Sequence, residues 1–301
     1  MTTIRVGTCA WADHEPFYPP GLKPVDRLAY YARFFNLVEV DATYYHLMPA
    51  RNFQAWADRS PPGFVFNVKA HKAMTRHERS DRDRTDLPLD EIFARFRFSV
   101  EPLRASGKLK AVHFQFPPWF DCTRPNVGYL ETVREEMEDY LVSVEFRNRT
   151  WFADRARTQA TLRFLEAHDF VHVVCDEPQI GSGSVPPVPA VTQPRLAILR
   201  FHGRNEKMWY ARTRHSGERF NYLYSEAELQ EWVPIIHELA GGADEVHVLM
   251  NNNFANYAVR NAYQLGRLLG LDLADPLPEL QALPPTDPPH GEDGGGASRA
   301  P

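Results

Sequence analysis

The side chains able to do chemistry in this sequence recur at alternate positions of short apolar runs. In LVEVDAT, Glu39, Asp41 and Thr43 share one face of an extended chain while Val38, Val40 and Ala42 share the other, because strand side chains alternate. The pattern returns with Asn67, Lys69 and His71 against Val68 and Ala70, and with His113 and Gln115 against Phe114 and Phe116. It returns again with Ser143, Glu145 and Arg147 against Val144 and Phe146, and with Arg200 and His202 against Leu199 and Phe201. Lys69, Arg147 and Arg200 can hold a phosphate or carboxylate, the arginines through bidentate contacts. Glu145, Glu39 and His202 are the candidate general acids and bases, provided burial and neighbours move their pKa values toward neutrality. Gln115, Asp41 and Asn251 add hydrogen-bonding groups for the same ligand.

Aromatic residues follow directly after these runs: Trp11, Tyr44 with Tyr45, Trp119 with Phe120, Trp151 with Phe152, Trp209 and Phe254. Rings so placed can stack on a base, a sugar face or another ring. Trp11, Tyr44 and Trp209 enter the expected binding set on this ground, Trp119 shares it, and Tyr18, farther along the segment after the first strand, joins them. The competing role for each ring is to fill packed core.

The elements that must position these residues are short strands alternating with amphipathic helices. Strands are expected at 4–8, 37–43, 64–70, 109–116, 141–146, 170–175, 195–201 and 245–250. Helices are expected at 25–35, 51–58, 89–105, 126–138, 154–168, 226–240 and 254–269. Repeated strand-then-helix order implies a parallel sheet, and eight such strands fit an α/β fold of the (β/α)8 TIM-barrel type over residues 1–272. An open doubly wound sheet is the competing fold. Two connections are unusual: the polar loop 71–90, and the Pro/Gly-rich loop 176–194 that replaces the sixth helix. In a barrel both belong to the C-terminal face, where active-site loops lie. Residues 273–301 read as a disordered Pro/Gly-rich tail.

Barrel strands are normally apolar on both faces. Here the apolar face must meet the helices, so the polar face points inward, with its charges gathered at the strand C-termini. Buried charges must pair or meet a ligand. The two readings are an ion-pair lattice joining Glu39 or Glu145 to Lys69, Arg147 or Arg200, and a ligand pocket. In HVLMNNNFANYAVRNA, Asn252 or Asn253 is expected to cap the last helix, while Asn251 stands at the end of strand eight beside Arg200 and Glu145.

Composition narrows the partners. A net charge of -5 argues against a broad nucleic-acid-binding surface. In the 71–90 loop, Lys72, Arg76, Arg79, Arg82 and Arg84 are nearly balanced by Glu78, Asp81, Asp83 and Asp86. Cys9, Cys122 and Cys175 are widely spaced and odd in number, which indicates neither a disulfide framework nor a zinc knuckle. The N-terminus lacks a secretory pattern and no apolar run approaches the roughly 20 residues of a membrane span, so a cytoplasmic protein is expected. There is no G-x-x-x-x-G-K-S/T, no G-x-S-x-G, no H-E-x-x-H and no complete G-x-G-x-x-G, hence no nucleotide or flavin cofactor is indicated. A divalent metal is the lesser alternative: Glu39, Asp41, Glu145, Asp176, His113 and His202 offer ligands from several strands but no compact spacing.

The stretches VGTCAWAD, FYP, FNLVEVDATYYHLMP, FVFNVKAHKAMTRH, FQFPPWF, VEFRNRTWF, RFHGRNEKMW, NYLYSE and NNNFANYAVRNA together resemble the YecE-like proteins, domain of unknown function 72. They run in order from about residue 4 to about residue 270. The resemblance implies a TIM barrel and brings no established reaction with it. Cys9 and Asp41 depart from the serine and asparagine associated with those positions, so Asp41 adds a carboxylate. The function expected is an enzyme acting on an anionic, ring-bearing small molecule by general acid/base hydrolysis or elimination. Metal-assisted phosphoester or nucleic-acid chemistry, and a non-catalytic binding or sensor role, are the alternatives. The oligomeric state is left open.

Overall fold

Eight runs of Val, Ile, Leu and Phe become strands: β1 (Thr3–Cys9), β2 (Leu37–Val40), β3 (Val65–Lys69), β4 (Leu109–Gln115), β5 (Val142–Glu145), β6 (Phe170–Asp176), β7 (Ala197–Phe201) and β8 (Glu245–Met250). In the computed structural model they pair in parallel, each with its sequence neighbour, and β8 closes on β1. This is the expected TIM barrel. The structure describes residues 2–78, 85–211 and 216–274. Arg79, Asp81, Arg82, Asp83 and Arg84 of the long loop, and residues 275–301 of the expected tail, lie outside the described residues.

The surrounding helices are α1 (Arg27–Tyr31), α2 (Ala50–Arg59), α3 (Leu89–Ala105), α4 (Arg124–Glu136), α5 (Arg155–Ala167), α6 (Glu206–Trp209), α7 (Glu226–Ala240) and α8 (Tyr257–Leu268). Their starts follow side-chain chemistry where a cap is available. Ser225 and Glu228 form a reciprocal capping box at α7, and Asp154 accepts from Arg157 N at 2.8 Å at α5. The apolar stripes pack on the outer barrel face, α8 against β1 and β8, α5 against β6. Between β6 and β7 the described chain forms no helix, in keeping with the Pro/Gly-rich run there. No helix among the described residues is long and apolar enough to cross a membrane.

The barrel interior is polar. Arg200 on β7 bonds Glu39 on β2 at 2.6 Å, and His247 on β8 meets Asn67 on β3 at 3.2 Å. Neither pair belongs to adjacent strands, so both contacts cross the interior.

Three local expectations need correction. β2 ends at Val40, and Asp41 (φ -89, ψ -24) turns the chain into a 3-10 turn, Ala42–Tyr44. Asp41 and Thr43 therefore do not continue the strand face, and Thr43 Oγ1 instead donates to Lys69 O at 2.6 Å. The first helix shrinks to α1 behind a 3-10 turn, Pro24–Asp26. Finally, α8 starts at Tyr257 with Asn256 at its N-cap and no capping side chain, so neither Asn252 nor Asn253 is a helix cap. The left-handed Ala255 (φ 52) delays the helix past both.

Candidate functional site

The strand C-termini open into a cavity of about 460 Å³. Of the expected binding residues, Asp41, Tyr44, Lys69, Gln115, Arg147 and Asn251 line it. Asp13, Tyr45, Arg219, Phe220 and Asn253 complete the wall. Arg219 and Phe220 come from a 3-10 turn, Ser216–Phe220, that carries neither strand alternation nor helical periodicity, so nothing local marks them in the sequence. Asp13 was within reach of the pattern used for Trp11, since it too lies just past β1.

Beneath the cavity lies a charge network. Arg200 is wholly buried, with Nη1 donating to Glu145 Oε2 at 2.6 Å and to Gln115 Oε1 at 3.3 Å. Its Nη2 donates to Glu39 Oε1 at 2.6 Å and lies 3.3 Å from Cys9 Sγ. Glu145 Oε1 takes Arg147 Nη1 at 3.0 Å and faces His202 Nε2 at 3.2 Å. Arg147 reaches onward to Glu177, 3.2 Å from Nη2, and its guanidinium rests 4.9 Å above the Trp209 ring centre. Glu39, Glu145, Arg200 and His202 thus form the floor rather than the lining. The bidentate grip on a ligand expected of Arg200 is replaced by a grip on two carboxylates.

This packing sets the protonation states. Burial raises the Glu145 pKa, but Arg200, His202 and His113 outweigh it and hold the carboxyl well below its usual range. Glu39 is likewise pushed up by burial and pulled down further by Arg200, His113 and Lys69, ending low. Burial forces His202 down to about 3 despite Glu145. The Asn251 amide donates to His202 Nδ1 at 2.8 Å, which leaves the neutral ring's proton on Nε2, toward Glu145. None of the three expected acid/base residues changes charge near neutral pH.

Two other carboxyls are poised there. Burial lifts Asp41 to about 7, with Lys69 opposing and Glu39 reinforcing the shift. Its side chain is 25% exposed and its Oδ1 lies 3.9 Å from Lys69 Nζ. Burial lifts Glu177 to about 7 as well, against the pull of Arg147 and of the Val185 N–H. Asp41 lines the cavity; Glu177 is one residue removed from it, behind Arg147.

The aromatic expectations divide. Tyr44 and Tyr45 meet edge-on at 4.9 Å on the cavity wall, and Lys69 Nζ sits 5.2 Å from the Tyr44 ring centre. Trp209 is buried and supports Arg147 instead of meeting the cavity. Tyr18 packs into a cluster with Phe17 and Tyr30 while its hydroxyl donates to Trp11 O, and Trp11 itself packs edge-on against Trp56 at 5.2 Å. Trp11 and Tyr18 are therefore core-side packing, not lining. Trp119 is 42% exposed, with Nε1 donating to Arg76 O at 3.0 Å.

The asparagine triplet separates into three tasks. Asn251 orients His202; Asn252 Nδ2 donates to Tyr222 O at 2.9 Å and Asn261 Oδ1 at 2.8 Å; Asn253 Nδ2 donates to Cys9 O at 2.8 Å and lines the cavity.

Ligating atoms of Glu145, Cys175 and His202 lie within 4.8 Å of one another. They fit a cation poorly. Both Glu145 oxygens already receive guanidinium protons, and burial with Glu145 and Glu177 nearby keeps the Cys175 thiol protonated. Asp176, from the dispersed ligand set, is taken by Arg204 at 2.7 Å and the Trp232 Nε1–H at 2.7 Å.

A family described as Protein of unknown function DUF72 matches residues 5–287. The chain is 40% identical over 275 residues to the UPF0759 protein YunF of Bacillus subtilis, covering 89% of this chain and 95% of that one. Among solved structures it is similar to a DUF72 family protein of Enterococcus faecalis, with a TM-score of 0.82, 31% identity, and 92% and 98% of the two chains covered. A DUF72 family protein of Thermotoga maritima gives a TM-score of 0.76 at 34% identity, over 89% of this chain and 99% of that one.

Proposed function

This chain belongs to the DUF72 family, and from the site it carries we propose an enzyme that binds an anionic, ring-bearing small molecule and transforms it by general acid/base hydrolysis or elimination. The observation that carries this reading is one cavity in which Lys69 and Arg147 stand beside Asp41, the lining carboxyl that titrates near neutrality. Cations attract the anion, Tyr44 and Tyr45 offer ring faces and edges, and Gln115, Asn251 and Asn253 supply neutral donors and acceptors. Protonated Asp41 donates to a leaving oxygen; as the carboxylate it then takes a proton from the attacking water or from the substrate carbon, restoring the acid. Glu39, held ionised behind it by Arg200, reinforces the raised pKa of Asp41 and so favours its protonated form.

A panel of phosphorylated and carboxylated ring metabolites tests this. Wild type turns over a member of the panel, and Asp41→Asn lowers kcat by about 10²-fold or more with KM little changed. Full kcat in Asp41→Asn removes Asp41 from the chemistry. A ligand-induced rise in melting temperature with no turnover by wild type moves the reading to a binding or sensor protein.

A further inference from the structure

The buried network beneath the cavity has an unequal charge count. Three cations, Lys69, Arg147 and Arg200, face four carboxyls, Glu39, Asp41, Glu145 and Glu177. With every group ionised the network carries one net negative charge, and an arriving anion would be repelled by the floor of its own site. We propose that the cavity takes up its anion together with a proton, held on the surplus carboxyls Asp41 and Glu177. The inference rests on reading the cavity as an anion site.

The geometry identifies where the proton resides. Asp41 and Glu39 lie within hydrogen-bonding reach, yet Glu39 Oε2 and Asp41 Oδ1 are buried and neither has a donor. Two carboxylates cannot bond each other, whereas one proton on Asp41 supplies the donor that the pair lacks. Glu177 has a similar gap. Oε1 accepts from Val185 N at 2.7 Å, but Oε2 meets Arg147 too far off axis for an aligned hydrogen bond.

The surrounding groups leave these two as the variable ones. Asp41 is faced by Lys69, Glu39 and Arg200; Glu177 by Arg147, Glu145 and Asp176, the last neutralised by Arg204. His113, His202 and His77 are pushed down by burial and stay neutral, and the thiols of Cys9 and Cys175 are pushed up by burial and stay protonated. Glu39 and Glu145 stay ionised against Arg200. At the rim, exposed Asp13 and Arg219 offset each other. Protonating Asp41 makes the network neutral, and protonating Glu177 as well makes it cationic, so occupancy by an anion and by protons favour each other.

Sulfate is the suitable probe because its own charge is constant across neutral pH. Calorimetric titration of the full chain with sulfate, in buffers of different ionisation enthalpy, reads affinity and proton uptake together. The expected result is uptake of about one proton per sulfate at pH near 7, and a Kd that rises about tenfold per pH unit above neutrality. Asp41→Asn and Glu177→Gln, both close to isosteric, each reduce the uptake, and the double variant binds sulfate with a Kd independent of pH. Sulfate bound with no proton uptake by wild type, or with an unchanged pH slope in the double variant, overturns the proton coupling alone. Failure of sulfate to bind at any pH overturns the anion site and the coupling with it.

Discussion

Arg200 is the most constrained side chain of the site: fully buried, with both Nη groups given to carboxylates on other strands. Removing one partner from such a set leaves uncompensated buried charge, which costs about 3–5 kcal/mol. Arg200→Met, close in volume, is therefore expected to lower the urea unfolding free energy by that amount at neutral pH. An unchanged midpoint would mean that Glu39 and Glu145 absorb the loss by taking up protons. At this scale the sequence was a good guide to which residues gather and a poor guide to their tasks. Alternation in LVEVDAT and LVSVEF shows that Glu39 and Glu145 face inward with Arg200, but alternation says nothing of how many donors converge on each oxygen. That number turned Glu39 and Glu145 into fixed charges, burial kept His202 neutral, and Asp41, read as a ligand contact, was left as the group able to carry a proton.

Elements explain where the chain can and cannot be altered. In β1, a Cβ added at Gly7 would stand 2.2 Å from Leu37 O, the carbonyl at the start of β2. Backbone cannot yield as a side-chain tip can, so Gly7→Ala is expected to cost about 3 kcal/mol by overpacking, read as a drop in melting temperature. A melting temperature equal to wild type would show that β1 and β2 separate freely. The strands and most helices were legible because apolar periodicity is a local signal. Their ends were not. β2 stops three residues before its alternation does, because Thr43 finds a partner in Lys69 O on the next strand. Asn252 or Asn253 was expected as a cap because capping is a local preference, yet each amide of the triplet finds a partner far away in sequence, at His202, Tyr222 and Cys9.

For the molecule as a whole, burial of neutral imidazoles sets the response to acid. His14, His71, His77, His113, His172, His202 and His247 all have pKa values lowered chiefly by burial. Below about 6.5, the ordinary value, the unfolded chain binds more protons than the folded one, so stability is lost as pH falls. Asp41 and Glu177 act in the opposite sense. Raised to about 7, they contribute stability that is present below their ordinary values and lost as pH rises through 7. Glu39 and Glu145, both depressed, add their share only above about 4.5 and lose it in stronger acid. Stability should therefore climb from pH 5 to about 7, where seven histidines outweigh two carboxyls, and level off above that, measured by calorimetric melting. A flat profile over that range would show that these histidines are charged in the fold. The sequence by itself determined the barrel, its polar interior and the cations at its mouth, because alternation and strand-helix order are written in adjacent residues. Only the tertiary structure decided which charges cancel and which stay free, because Glu39 and Glu145 meet Arg200, and Glu177 meets Arg147, across strands separated in the chain, and an ion's state depends on everything packed around it.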